Sequence, residues 1–242
     1  TSGEINLVLV NLLKDAGLDA NPVLVSTLEH GRINQLMPST RQFDKVMAYV
    51  KIHEKSQDKI YVMDATDKNT PSHLIPQDVM YSNGLVIEKP DKYQYQWGWK
   101  PLWKETQGFK NIVILTAEID EQEMMKGIAS VNSFDYTRVN RLSDLKKGVD
   151  KFIEKYYTTH NPGVKIDSFS TANEGIDSLP LEQNFRFSEP ISGSGDYKYF
   201  SMNKFSGLEI NPFVADTRFS DVFFGAFRKY TIIGNLTIPD TY

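Results

Sequence analysis

Glu4-Ile-Asn-Leu-Val-Leu-Val-Asn-Leu-Leu-Lys-Asp-Ala-Gly-Leu-Asp-Ala20, followed by Pro22-Val-Leu-Val-Ser-Thr27, decides how this chain begins to fold. Thr1 and Glu4 stand at capping-box spacing ahead of the apolar run, and Gly17 suits a left-handed stop, so the run reads as one helix. Ile5, Leu7, Val8, Leu9, Val10, Leu12 and Leu13 cover nearly every face of that helix. A helix that is apolar all round is expected to be buried all round, enclosed by the rest of the chain or by sequence upstream.

Pro22 to Thr27 is the first of a set of strands. Phe43 to Ile52 and Lys59 to Thr66 are rich in β-branched and aromatic residues, with a polar hairpin loop from Glu54 to Asp58 between them. Gly84 to Glu88 adds a short strand before a Pro-Asp break. Residues 1–90 therefore read as a helix on a small antiparallel sheet. Beyond residue 90 the character changes. All three tryptophans fall between 97 and 103, and Trp97 alternates with Trp99 as on a two-faced strand. Strand-like segments follow at Asn111–Asp120, Gly127–Asp135, Val164–Ala172, Glu182–Phe187, Lys198–Met202 and Tyr230–Ile238. One helix, Leu142 to Tyr157, interrupts them, with Leu145, Val149, Phe152, Ile153 and Tyr156 at helical spacing. The pattern predicts an α+β chain: a helix-plus-antiparallel-sheet segment over 1–90, then an antiparallel β-sandwich with one helix over 91–242.

Composition narrows the function. A formal charge of −4 over 242 residues, with both signs evenly mixed, gives no footprint for nucleic acid. The longest apolar run, Ile5 to Leu13, is too short to span a bilayer. Cysteine is absent, which removes a thiol nucleophile, disulfides and thiolate metal sites. His30, His53, His73 and His160 lack ligand spacing, and Asp64 with Asp67 lacks the dense alternating acids of a calcium loop. Glu118, Asp120, Glu121 and Glu123 read as a solvated turn. Gly193-Ser-Gly195 has no following Lys, so no phosphate loop is present. No metal or cofactor is expected.

The opening helix and strand, with His30-Gly31, Phe43-Asp-Lys-Val-Met47, Tyr61-Val-Met-Asp-Ala-Thr66 and Leu74-Ile-Pro76, resemble the transglutaminase-like core. That core belongs to the papain-like cysteine protease superfamily. The arrangement is similar to Bacteroidetes proteins in which a domain of unknown function precedes such a core and another β-domain follows. Asn211-Pro-Phe213, Arg218 and Lys229-Tyr-Thr through Ile238-Pro239 resemble that trailing domain. The resemblance implies a periplasmic or cell-envelope location. As partners it implies a protein, an envelope polysaccharide or an N-terminal domain of the same chain.

In active members of that superfamily a Cys attacks an acyl carbon, a His takes its proton and an Asp orients the His. Carried over by the resemblance, the Cys position falls at Ser2, the His at Lys45 and the Asp at Asp64. A Ser hydroxyl needs a base, and Lys45 serves only with its pKa lowered by burial. A neighbouring Asp64 carboxylate acts in the opposite sense, holding Lys45 protonated. The expectation is a non-catalytic binding or structural module, with Asp64–Lys45 as an ion pair and Ser2 as a helix cap. The alternative is a Ser-based amide hydrolase or acyltransferase of the same descent. Tyr95, Trp97 and Trp99, with Tyr93, share one strand face and form a candidate ligand platform. Packing into an interface between the two parts is the competing role for that face. Phe219, Phe223, Phe224, Phe227 and Tyr230 read as sandwich core and edge.

Overall fold

The computed structural model describes residues 1–242 apart from 38, 56, 91, 92, 196, 202, 209–212, 216, 218, 220, 221, 223, 224 and 240–242. Asn211, Arg218, Phe223 and Phe224, singled out above, lie outside the described residues. The first helix, α1 (Ser2–Asp15), starts where its cap allows: the Thr1 hydroxyl accepts from the Glu4 backbone N–H at 3.4 Å, closing a capping box. It stops at Ala16, with Gly17 at a φ of 82°. The Gly17 and Leu18 N–H groups return to the Lys14 and Leu13 carbonyls at 2.9 and 3.0 Å, the two bonds of a Schellman stop. Ser2 is thus the first helical residue, and the capping hydroxyl belongs to Thr1.

The chain divides into two compact units, one built on Thr1–Gln107 and the other beginning at Gly108. The first contains β1 (Asp19–Val25), β2 (Lys45–His53), β3 (Asp58–Met63), β4 (Ser82–Glu88) and β5 (Gln96–Leu102). They form an antiparallel sheet in the order β3-β2-β1-β4-β5. Because β5 pairs along its whole length with β4, residues 96–102 complete this sheet, and the unit extends past residue 90. The helix α1 lies on the β1–β2–β3 part. Val10 is buried with Ala20, Ala48 and Val50, and Leu9, Leu13, Leu18, Ile52, Tyr61 and Met63 pack around them. Strand alternation sends Val23, Met47 and Val62 to the opposite face, where they too are buried.

The helix is not buried all round. Ile5, Val8 and Leu12 are 50%, 57% and 61% exposed. The sheet occupies one side of α1, and in a two-layer arrangement the far side is covered by nothing else in this unit among the described residues.

The second unit contains β6 (Gly108–Ile119), β7 (Met124–Phe134), α2 (Asp135–Leu145), α3 (Val149–Ile153), β8 (Lys165–Ala172) and β9 (Leu181–Pro190). A small hairpin of β10 (Ser192–Ser194) and β11 (Tyr197–Tyr199) follows, and β12 (Phe227–Thr237) returns to the sheet. The sheet order is β12-β6-β7-β9-β8, antiparallel through β6, β7, β9 and β8. Its inward rows, Val113-Leu115-Ala117, Ala129-Val131 and Phe185-Phe187, are covered by Leu145, Phe152, Tyr157, Val164 and Phe205.

That layer corrects the expected β-sandwich. Among the described residues the cover is helix and loop, not a second sheet, and on the other face Ile114 and Ile128 stand 42% and 57% exposed. The helix expected over Leu142–Tyr157 is also corrected. Gly148, at a φ of 132°, separates α2 from α3, and Glu154–Thr158 continues α3 as a turn of π-helix. Leu145 and Phe152 still reach the core, which is why the spacing reads as one continuous helix.

Candidate functional site

The cluster around Lys45 is assembled by the first sheet. β2 and β3 pair so that Ala48 opposes Met63, and Asp64, one residue beyond β3, arrives beside the start of β2. Lys45 Nζ meets Asp64 Oδ2 at 2.5 Å and Asp78 Oδ2 at 2.8 Å. Asp78 comes from the 3-10 turn Gln77–Val79, and its own backbone carbonyl accepts from the Leu28 N–H at 2.8 Å. The Asp64 side chain is 2% exposed, Lys45 16% and Asp78 42%, so Asp64 is the deep end of the cluster.

Asn6 ties α1 to this group. Its amide nitrogen donates to the Val46 carbonyl and to Asp64 Oδ1, both at 2.9 Å, and its oxygen accepts from the Ala65 N–H at 2.8 Å. It is fully buried, and these three bonds account for both donors and one acceptor site. The Thr66 N–H and hydroxyl also donate to Asp64 Oδ1, at 2.9 and 2.6 Å.

The charges follow from these contacts. Burial alone would raise the Asp64 carboxyl, but hydrogen bonds from Lys45, Thr66 and Asn6 outweigh it and hold the group at about 2. Burial likewise pulls the Lys45 ammonium down, and Asp64 and Asp78 together push it above its ordinary value. Lys45 is therefore a firmly protonated cation, unable to accept a proton near neutrality. Ser2, at the exposed start of α1, makes no hydrogen bond to Lys45. The fold brings Lys45 and Asp64 together and leaves Ser2 outside their hydrogen-bond network.

Asn6 and Asp78 escape a reading of the sequence. Asn6 carries a signal of a kind, a polar side chain one helical turn beyond Ser2 in an apolar run. Asp78 carries none, since nothing local distinguishes it from any acid in a turn.

Trp97 and Trp99 lie on β5, at the other edge of the same sheet, and Tyr95 immediately precedes it. Trp97 and Tyr95 are 63% and 68% exposed. Trp99 is half-buried, with its ring 6.1 Å from Phe43, and opposes Leu85 in register, while Trp97 opposes Ile87. The Lys89 ammonium sits 5.2 Å from the Tyr95 ring centre. This is an accessible aromatic strip with an apolar margin.

His30 and Gly31 form a turn, both N–H groups directed at the Thr27 carbonyl, at 3.0 and 3.2 Å. His53 Nδ1 lies 2.8 Å from Asp58. Asp120 organises the β6–β7 turn by accepting from the Gln122 and Met124 N–H groups, and pairs with Lys126 at 2.7 Å. Among the described residues no three His, Cys, Asp or Glu side chains converge on a point that could hold a metal ion, and no helix is long and apolar enough to cross a membrane. Set beside known proteins, the chain matches no protein-family model, no curated protein and no solved structure.

Proposed function

We propose that this chain is a non-catalytic binding or structural module of the cell envelope, whose first unit is a catalytically lost transglutaminase-like segment. The observation that carries the reading is the double pairing of Lys45. A side chain standing where a general base is required is held protonated by two carboxylates, at 2.5 and 2.8 Å. The third position, Ser2, has no contact that would activate its hydroxyl. Asn6 locks Asp64 to the helix and to the strand end, which suits a cluster that fixes α1 on its sheet. The module acts through surfaces instead, on a protein or an envelope polysaccharide. The exposed stripe Ile5, Val8 and Leu12 and the strip Tyr95–Trp97–Trp99 are the contact regions of the first unit.

The test is labelling with a fluorophosphonate probe, run beside Ser2→Ala and Lys45→Met, together with an amide-hydrolysis assay on the purified chain. No labelling and no turnover is the expected result. Labelling that disappears in Ser2→Ala would establish a serine hydrolase and overturn the proposal.

A further inference from the structure

A second cluster, in the second unit, has the features of a ligand site and rests on none of the residues above. Glu189 occupies an inward position of β9, in line with Phe185 and Phe187, where strand alternation calls for an apolar side chain. Its side chain is 8% exposed, and Oε2 accepts from the Lys204 ammonium at 2.7 Å, with Lys204 itself 13% exposed. Oε1 accepts no hydrogen bond from the described residues. Lys204 Nζ has three protons and gives one to Glu189. An unused carboxylate oxygen and the remaining protons of a partly buried ammonium are therefore left side by side.

They are not sealed in. Glu189 and Lys204 line a cleft of about 450 Å³, whose other walls include His160, Ser192, Tyr199 and Phe200. That volume lies within the usual range for small-molecule sites, about 300–1,000 Å³. Tyr199 and Phe200, 59% and 42% exposed, supply ring surface at the mouth. The wall bearing His160 follows the π-helical turn. The Thr159 N–H reaches back to the Glu154 carbonyl at 2.9 Å, and the Asn161 amide caps the Tyr157 carbonyl at 3.0 Å. Gly163, at a φ of 93°, turns the chain beside Pro190 in a backbone conformation that favours glycine. Widened helical turns of this kind recur at functional sites.

The chemistry of the lining selects the ligand. The two opposite charges cancel, so neither an anion nor a cation gains from the floor as a whole. Two adjacent hydroxyls do fit it, one donating to Glu189 Oε1 and its neighbour accepting from Lys204. The aromatic mouth suits a ring with an apolar C–H face. We propose that this cleft binds a neutral sugar residue through a vicinal diol, with the ring packed on Tyr199. The inference deepens the polysaccharide arm of the proposed function, while its residues are independent of the Lys45 cluster.

The experiment is an amide NMR titration of the whole chain with cellobiose, maltose and N,N'-diacetylchitobiose at millimolar concentration, beside galacturonate and glucosamine as charged controls. At least one neutral disaccharide is expected to shift signals from residues 160–163 and 189–204. Tyr199→Ala, a surface change, should weaken that binding roughly tenfold. Glu189→Gln, which removes the charge but keeps the shape, should weaken it as much. Leu36→Ala, a fully exposed change in the first unit, should leave it unchanged. The proposal is overturned if no neutral sugar perturbs these signals, if a charged sugar binds more tightly, or if Tyr199→Ala binds like the native chain. A fluorophosphonate adduct at Ser2 would sink the non-catalytic reading alone and leave this result untouched.

Discussion

Each unit draws a cation into its interior, Lys45 in the first and Arg141 in the second, and these two charges are compensated in opposite ways. In the first, Lys45 is neutralised by Asp64 and Asp78. In the second, Arg141 on α2 is 2% exposed and has no carboxylate partner among the described residues. Its Nη1 donates to Gln183 Oε1 at 2.6 Å and to the Tyr157 hydroxyl at 3.0 Å, while its guanidinium lies 4.6 and 5.6 Å from the Tyr156 and Tyr157 ring centres. Gln183 also accepts from the Tyr157 hydroxyl at 2.7 Å and donates to the Val131 carbonyl at 3.0 Å. Burial pushes the Tyr157 phenol up to about 12, so its hydroxyl stays neutral, accepting from the cation and donating to Gln183. Nε of Arg141 has no hydrogen-bond partner among the described residues.

The difference is instructive about site reading. A buried charge is strongly penalised unless it is paired or hydrogen-bonded. Coulombic pairing makes the Lys45 cluster tight and chemically silent. Dipoles and ring faces make the Arg141 network rigid but less completely compensated. Neither arrangement places a proton acceptor beside a nucleophile.

The comparison can be broken most severely in the second unit. Gln183→Ala removes the acceptor under Arg141 and leaves the guanidinium with one hydroxyl. Urea unfolding should show a loss of about 3–5 kcal/mol, the cost of a buried charge stripped of a partner. A loss under about 1 kcal/mol would mean that water or the aromatic rings already carry this charge.

Asn6→Ala comes next. It strands the Ala65 N–H and withdraws a donor from Asp64, for an expected destabilisation of about 2–3 kcal/mol. The same assay should show it well above Ser2→Ala, an exposed change worth within about 0.5 kcal/mol. Equal effects would show that Ser2, not Asn6, holds the helix start to the cluster.

Acid should then separate the two cations. The Asp64 carboxyl lies at about 2 in the folded chain against an ordinary value of 3.8, so between those values the unfolded chain binds more protons. Stability from this group is complete above the ordinary value and is lost as pH falls through 2, by an amount on the order of 2 kcal/mol. Asp64→Asn should flatten that part of the stability–pH curve, whereas Gln183→Ala should lower the curve without changing its slope there. An unchanged slope in Asp64→Asn would assign the acid sensitivity to other carboxylates.

Within the Arg141 network the smallest effect is expected from Tyr157→Phe, which removes one hydroxyl and keeps the ring face. About 1 kcal/mol is the anticipated cost. A cost several times larger would make that hydroxyl the main partner of Arg141.

Much of the local order is legible in the residues. Thr1 with Glu4 and Gly17 set both ends of α1, because caps are local hydrogen bonds between groups a few residues apart. The β-branched runs locate β1, β2 and β3, and the ion pair of Lys45 with Asp64 is suggested only by the resemblance that Phe43-Asp-Lys45 and Met63-Asp64 carry. The break at Gly148 was hidden by Leu145 and Phe152, which keep helical spacing across it. The layer over the second sheet was hidden too, since an inward apolar row looks the same whether a sheet or a helix covers it.

What the sequence determined alone is therefore a set of short-range decisions: where α1 starts and stops, where the first strands run, and that no thiol is present to react. What only the tertiary structure decided is which distant polar groups meet, Asp78 with Lys45, Asn6 with Asp64, Gln183 with Arg141, and Glu189 with Lys204. These partners are 33, 58, 42 and 15 residues apart along the chain. Strand register and loop closure bring them together, and a polar residue in isolation carries no mark of the partner that burial will give it.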